Sequence, residues 1–180
     1  MIRRLILGSA FGAWLAFAAP LVAQALANHN TDAPVDVEAD RIEVQDRADR
    51  AIFSGNVRVD QGNLRLTAPR LTVAYAKERG SGVEIERLDA AGGVTVRSPS
   101  ETARGQFAIY DLNRRQITMV GAVVLEQGQN VVRGGRLVID LNSGRAVVDG
   151  SAVGGAPGAV SSGRGGRVTG RFSVPQRKTN

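Results

Sequence analysis

The sequence contains no cysteine, so no disulfide can brace it, and zinc–thiolate sites and cysteine nucleophiles are excluded. Histidine occurs once, at His29. It falls in the short polar stretch Asn28–Pro34, where it is expected to be solvated in a frayed segment, because a metal site needs further ligands at suitable spacing. Aromatics are scarce: five phenylalanines, two tyrosines and one tryptophan. An interior must therefore be lined mainly by Val, Leu, Ile and Ala, and such a lining is thin or leaves space for a guest. Helical periodicity is missing, as are a nucleophile elbow, a paired-histidine motif and a phosphate loop. A non-enzyme with no cofactor and no metal is expected.

The formal charge of +6 is unevenly placed. Arg3 and Arg4 lie at the N-terminus, and Arg164, Arg167, Arg171, Arg177 and Lys178 lie after Ser151 with no acid among them. The remaining basic residues face all 17 acidic ones, so the central region is close to neutral. A nucleic-acid protein would carry its basic stripe on the fold itself, so no nucleic-acid partner is expected.

What is present is a repeat. FSGNVRVDQGNLRLTAPRLTVAY, Phe53 to Tyr75, aligns without a gap on MVGAVVLEQGQNVVRGGRLVIDL, Met119 to Leu141. Gly55 matches Gly121, Gln61-Gly62 matches Gln127-Gly128, and Arg70-Leu71 matches Arg136-Leu137. A degenerate middle version reads Gly92-Gly93-Val94-Thr95-Val96. Within each unit apolar and polar residues alternate, which on a strand gives one apolar face and one wet face. Gln61-Gly62-Asn63 reads as a turn, and Pro69 as a strand start or edge. Val35/Val37 and Ile42/Val44 add two short alternations. Gln106 to Tyr110 reads as a further strand, and Ala146 to Val148 as a last one. The expected fold is all-β: a solenoid or an elongated β-jelly roll of short antiparallel strands, spanning residues 35–150.

The first 27 residues read as a cleavable secretory signal, with a basic start, an apolar run from Leu5 to Ala19 and small residues around Ala25 and Ala27. The mature protein is expected to be exported. Residues 151–180 are rich in Gly, Ser and Arg and are expected to be mostly disordered, with a possible short strand over Val168 to Val174.

Ala39-Asp40-Arg41-Ile42, the phrase Phe53-Ser54-Gly55-Asn56-Val57, Gln61-Gly62 and the second phrase Gly121 to Gly128, behind a signal segment, resemble the OstA-like family of periplasmic lipopolysaccharide-transport proteins. The sequence departs from the first phrase at Gly93 and Ala122, which stand where Asn56 stands, and the tail after Gly150 finds no match. The resemblance implies an elongated, open, twisted β-jelly roll, located in the periplasm, that binds the lipid A acyl chains of lipopolysaccharide. It also implies head-to-tail joining to the jelly rolls of an inner-membrane transport complex and an outer-membrane insertion complex, and self-association of the same kind. The lipid-binding candidates are Phe53, Val57, Val59, Leu64, Leu66, Leu71, Val73, Val94, Val96, Val123, Leu125, Val132, Leu137 and Ile139. The same side chains would equally fill a closed core. The partner edges are Val35, Val37, Ile42 and Val44 at one end, and Ala146, Val147 and Val148 at the other. Arg41, Arg70 and Arg136 suit phosphate, but alternation puts them opposite the apolar face. A β-solenoid scaffold and a membrane-anchored homologue remain as alternatives.

Overall fold

A computed structural model describes residues 29–77, 82–150 and 167–173. The expected signal segment, most of the Lys77–Gly82 loop and most of the tail lie outside the described residues. Ten antiparallel strands form one sheet: β1 (Val35–Glu38), β2 (Arg41–Gln45), β3 (Arg50–Gln61), β4 (Leu64–Lys77), β5 (Val83–Arg97), β6 (Glu101–Asp111), β7 (Gln116–Gln127), β8 (Asn130–Asp140), β9 (Arg145–Asp149) and β10 (Thr169–Arg171). The chain meanders from β3 to β8. At one edge β1 and β2 lie end to end along β3, and at the other β9 and β10 lie end to end along β8.

The central strands are long, 11 to 15 residues each. Runs that read as separate short strands are the two halves of one bent strand. The bend is a row of bulges. In β3 it falls at Gly55-Asn56, in β5 at Gly92-Gly93 and in β7 at Gly121-Ala122, and all six residues have positive φ. Opposite each pair the neighbouring strand places a single residue: Pro69 in β4, Gln106 in β6 and Gly135 in β8. Two residues against one bends the strand and leaves the ladder open at that point.

The bend also controls which way side chains point. A two-residue step keeps the inward face unchanged, so Val57 and Val59 in β3 share it with Ala51 and Phe53. A one-residue step reverses the alternation, so in β4 Leu64, Leu66 and Ala68 point inward before Pro69, and Leu71 and Val73 after it. Every apolar face therefore survives the bend, and the two halves of the sheet fold toward one another. Ile139 of one half meets Val96, Ala103 and Leu125 of the other. The buried cluster runs without a break from Val57 and Leu64 to Ile139 and Leu141.

Two phrases that are distant in the sequence meet at the first bulge. Asp40 N donates to Gly55 O at 2.9 Å, and Asn56 Nδ2 donates to Asp40 Oδ2 at 2.8 Å. A Cβ on Gly55 would collide with the Asp40 side chain. The departures at Gly93 and Ala122 also find their reason here: with Asn56, they occupy the second, left-handed position of the bulge. Asn and Gly adopt that conformation readily; Ala at φ +47 is strained. Replacing Ala122 with Gly is expected to raise stability by about 0.5–1 kcal/mol, the released strain exceeding the added entropy of the unfolded chain. Gly121→Ala is expected to lower it, because φ is +86 and the new Cβ would lie 2.8 Å from the Gln106 side chain. Urea midpoints at constant m-value measure both.

Candidate functional site

The inner face holds the candidate lipid-binding residues. Val57, Val59, Leu64, Leu66, Leu71, Val73, Val94, Val96, Val123, Leu125, Leu137 and Ile139 are buried, while Phe53 and Val132 are half-buried and pack against them. Cross-strand pairing sets them in rows, with Val59 opposite Leu66, Leu66 opposite Val96, and Leu137 opposite Met119. Sequence reasoning missed Leu88, Ala90, Ala108, Tyr110, Ile117 and Met119, which complete these rows from β5, β6 and β7. All but Met119, which opens the second copy, lie between the recognisable copies of the repeat, where period-two alternation is the main signal. The interior is closely packed. The gap among Val96, Glu101, Ala103, Leu125 and Ile139 amounts to 10 Å³.

The two halves join along the line of bulges and meet at the strand tips. Each ladder pairs segments of the same half, so the seam between tips is held by side chains. The phenol of Tyr110 donates to Gln61 Oε1 at 2.7 Å across this seam, and Arg115 reaches Asp32 at 2.8 Å. Beside them opens a recess of 490 Å³, lined by Thr31, Asp32, Gln61, Ile85, Leu112 and Arg115 among others. Burial pushes the Tyr110 phenol up to about 12, against a smaller opposing pull from the Arg115 guanidinium. Tyr110 therefore remains a neutral donor at any physiological pH.

His29 corrects an expectation. It is buried rather than solvated, with Nδ1 3.0 Å from Asn63 Oδ1 and Nε2 3.2 Å from Gln61 Oε1. The segment expected to fray is tied down, because Gln61 Nε2 donates to the carbonyls of Thr31 and Ala33. A polar side chain at an inward strand position must find partners, and Gln61 recruits them from this turn and from Tyr110. The repeat carried the clue. Gln127 matches Gln61, and its amide donates to the buried Glu101 at 3.0 Å. An inward polar residue thus recurs in both copies; Gln61 uses it to bond Tyr110 across the seam, whereas Gln127 bonds its own cross-strand partner within one half. Among the described residues no group of three His, Asp or Glu could hold a metal ion.

β1 and β2 form one edge of the sheet, and β9 and β10 the other. Val35 and Val37 are half-buried, while Ile42 and Val44, opposite Phe53 and Ala51, are exposed on the inner face at the rim. On β9, Ala146 and Val148 pack against the core and Val147 faces outward. Arg41, Arg70 and Arg136 project from the outer face, and Arg136 lies 3.9 Å from Asp149.

The family described as "LptA/(LptD N-terminal domain) LPS transport protein" matches residues 36–145. An uncharacterized protein of Rhizobium meliloti is 33% identical over 156 residues, covering 84% of this chain and 77% of its own. The LPS-assembly protein LptD of Saccharophagus degradans is 32% identical over 112 residues, covering 62% of this chain and 12% of LptD. LptD of Yersinia enterocolitica is 31% identical over 86 residues, 48% of this chain and 11% of LptD, so the match spans about a tenth of those relatives. Among solved structures, LptH of Pseudomonas aeruginosa, described as the LptA homologous periplasmic component of a lipopolysaccharide transport device, superposes with a TM-score of 0.65. It is 20% identical and covers 80% of this chain and 98% of its own, a likeness of fold.

The seam bond makes a titration visible. The Tyr110 phenol titrates above its unfolded value of about 10, so its contribution is fully present below that pH and is lost as pH rises through about 12. Unfolding free energy is expected to fall by roughly 2–3 kcal/mol across this window. Tyr110→Phe should flatten that slope, and denaturant melts of both proteins between pH 9 and 12 (about those limits) measure it. An equal slope in the variant would assign the loss to other groups.

Proposed function

The chain belongs to the LptA/(LptD N-terminal domain) LPS transport protein family, and on that footing we propose that it is a non-enzymatic periplasmic carrier of lipopolysaccharide. Its acyl chains lie between the two halves of the bent sheet. The carrier bridges an inner-membrane transport complex and an outer-membrane insertion complex, joined edge to edge with partners of the same fold. Residues 1–27 export it, and no cofactor takes part.

The observation that carries this reading is the inner face itself. One unbroken apolar surface crosses all six long strands of a sheet whose first and last strands do not pair with each other. Each methylene removed from water contributes about 0.8 kcal/mol, so acyl chains can be held without a directed polar contact. Opening the seam separates side chains that now touch each other. An acyl chain entering between them covers the same surfaces, so little apolar area is left wet. The ladders stay intact because they lie within each half. What must break is the set of polar ties at the tips, Tyr110 to Gln61 and Arg115 to Asp32. Exposed Ile42 and Val44 extend the apolar face to the rim, where a chain would pass to the next molecule.

A second reading rests on the closeness of the packing: the same surface serves as the core of a structural module and admits no guest. Photo-reactive residues separate the two. Placed at the inward positions Val57 and Val123, they are expected to give lipopolysaccharide adducts when the protein is isolated from envelopes, and at the outward neighbour Val124 to give almost none. Mass spectrometry of the adducts reads the result. Equal yields at all three positions, or none at any, would overturn the carrier reading and leave the structural module.

A further inference from the structure

We propose that β10 is a displaceable guard on the β8 edge, which the chain's own basic tail covers until the acidic β1 edge of a second copy replaces it. This rests on the edge-to-edge joining proposed above, and assigns the tail a role in it.

The two strands that share the β8 edge are held very differently. β9 sends Ala146 and Val148 into the core and pairs over five residues, Arg136 to Asp140 of β8. β10 pairs over three, Thr169 with Arg133, Gly170 with Val132 and Arg171 with Val131. All three are exposed. The inward position opposite Val132 is Gly170, which has no side chain to bury, and Val132 is left half-covered. The Phe172 ring stands over Gly170, within 2.7 Å of where a Cβ would sit, yet Phe172 remains 66% exposed. Beyond the short ladder, Ser173 supplies the side-chain ties: its N–H donates to Asn130 Oδ1 at 3.0 Å and its hydroxyl to Gln129 Oε1 at 2.9 Å. A strand with so little burial opens at low free energy.

Charge favours the exchange. The tail brings Arg167 and Arg171 to an edge that already carries Arg133, and among the described residues no ion pair holds β10. The β1 edge carries Asp36 and Glu38 on its outward face. Opposite charges on neighbouring strands are favourable and like charges are not. The tail holds its place through tethering, which raises its local concentration without raising its intrinsic affinity. An unguarded edge would accept any strand. A guarded one admits only a strand that outcompetes a weak, like-charged, tethered occupant.

Sedimentation velocity on the full chain and three variants tests this, with a second copy of the same protein as the probe. A chain ending at Gly150 is expected to self-associate about tenfold more tightly than the full chain, the advantage conferred by a weakly held tether. Thr169→Pro with Gly170→Pro removes a ladder donor in either pairing pattern and should act in the same direction without deletion. Arg171→Cys with Val131→Cys joins Cα partners across the ladder in a protein free of other thiols. Once oxidised it should stay monomeric, and reduction should restore association. Either of two results overturns the guard: freed variants no more associated than the full chain, or an oxidised chain that associates as well as the reduced one. Weaker association on truncation would make β10 part of the joint. Lipopolysaccharide binding by each variant is measured separately. Its absence in all of them sinks the carrier reading without touching the guard, and its presence with unaltered association sinks the guard alone.

Discussion

Keeping apolar residues on one side of a strand after the strand has bent is the constraint from which the rest of this structure follows. Alternation has a period of two, so any inserted residue turns the remaining side chains to the other face. The chain meets this in two ways. In β3, β5 and β7 the bend takes two residues and the phase is kept. In β4, β6 and β8 it takes one, and the sequence resets its own phase, as Leu64, Leu66 and Ala68 give way to Leu71 and Val73. Bulge and phase shift are matched strand by strand, and the outcome is a folded sheet with a continuous apolar lining.

Bending rather than closing has a mechanical consequence. In a barrel, backbone hydrogen bonds encircle the interior and no guest enters without breaking them. Here the ladders stop at the strand tips, and what crosses the seam is made of side chains: a phenol to an amide, a guanidinium to a carboxylate. Such links are individually worth about 1 kcal/mol, and apart from them the tips are held together by apolar packing, which a guest can replace. Close packing inside and a capacity to admit acyl chains are compatible for this reason. The turn around His29 belongs to the same arrangement, since it satisfies Gln61 at the tip where the recess opens.

Much of the fold was legible because period two is a strong signal and the repeat shows it twice. The inward residues of β3, β4, β7 and β8 read directly from Val57, Leu66, Val123 and Leu137. The bend did not. Gly55-Asn56 and Gly121-Ala122 keep the alternation in phase, so to the eye the strand runs straight through them; only the left-handed backbone reveals the corner. The shared position of Asn56, Gly93 and Ala122 was visible as a departure, and its meaning is conformational rather than chemical. His29 was misplaced because burial was inferred from its neighbours in sequence, whereas its partners Gln61 and Asn63 come from another strand end. Gln61 itself was read as part of a turn, although its recurrence at Gln127 on an inward position was already a sign of a buried amide.

An open sheet also leaves two edges, and these are not equivalent. The β1 edge is acidic at Asp36 and Glu38 and is anchored by Val35 and Val37 against the core. The opposite edge is divided, with β9 seated by Ala146 and Val148 and β10 resting on the surface. A joint between unlike edges is heterologous and does not close on itself, so whatever limits its growth must act at one edge rather than at a symmetry axis. The N-terminal edge has no spare segment among the described residues to cover it. The β8 edge has one, short, basic and unburied, placed where a neighbouring strand would add. The asymmetry of the two ends is thus a property of the side chains along them, superimposed on a sheet whose backbone would accept a strand equally well at either.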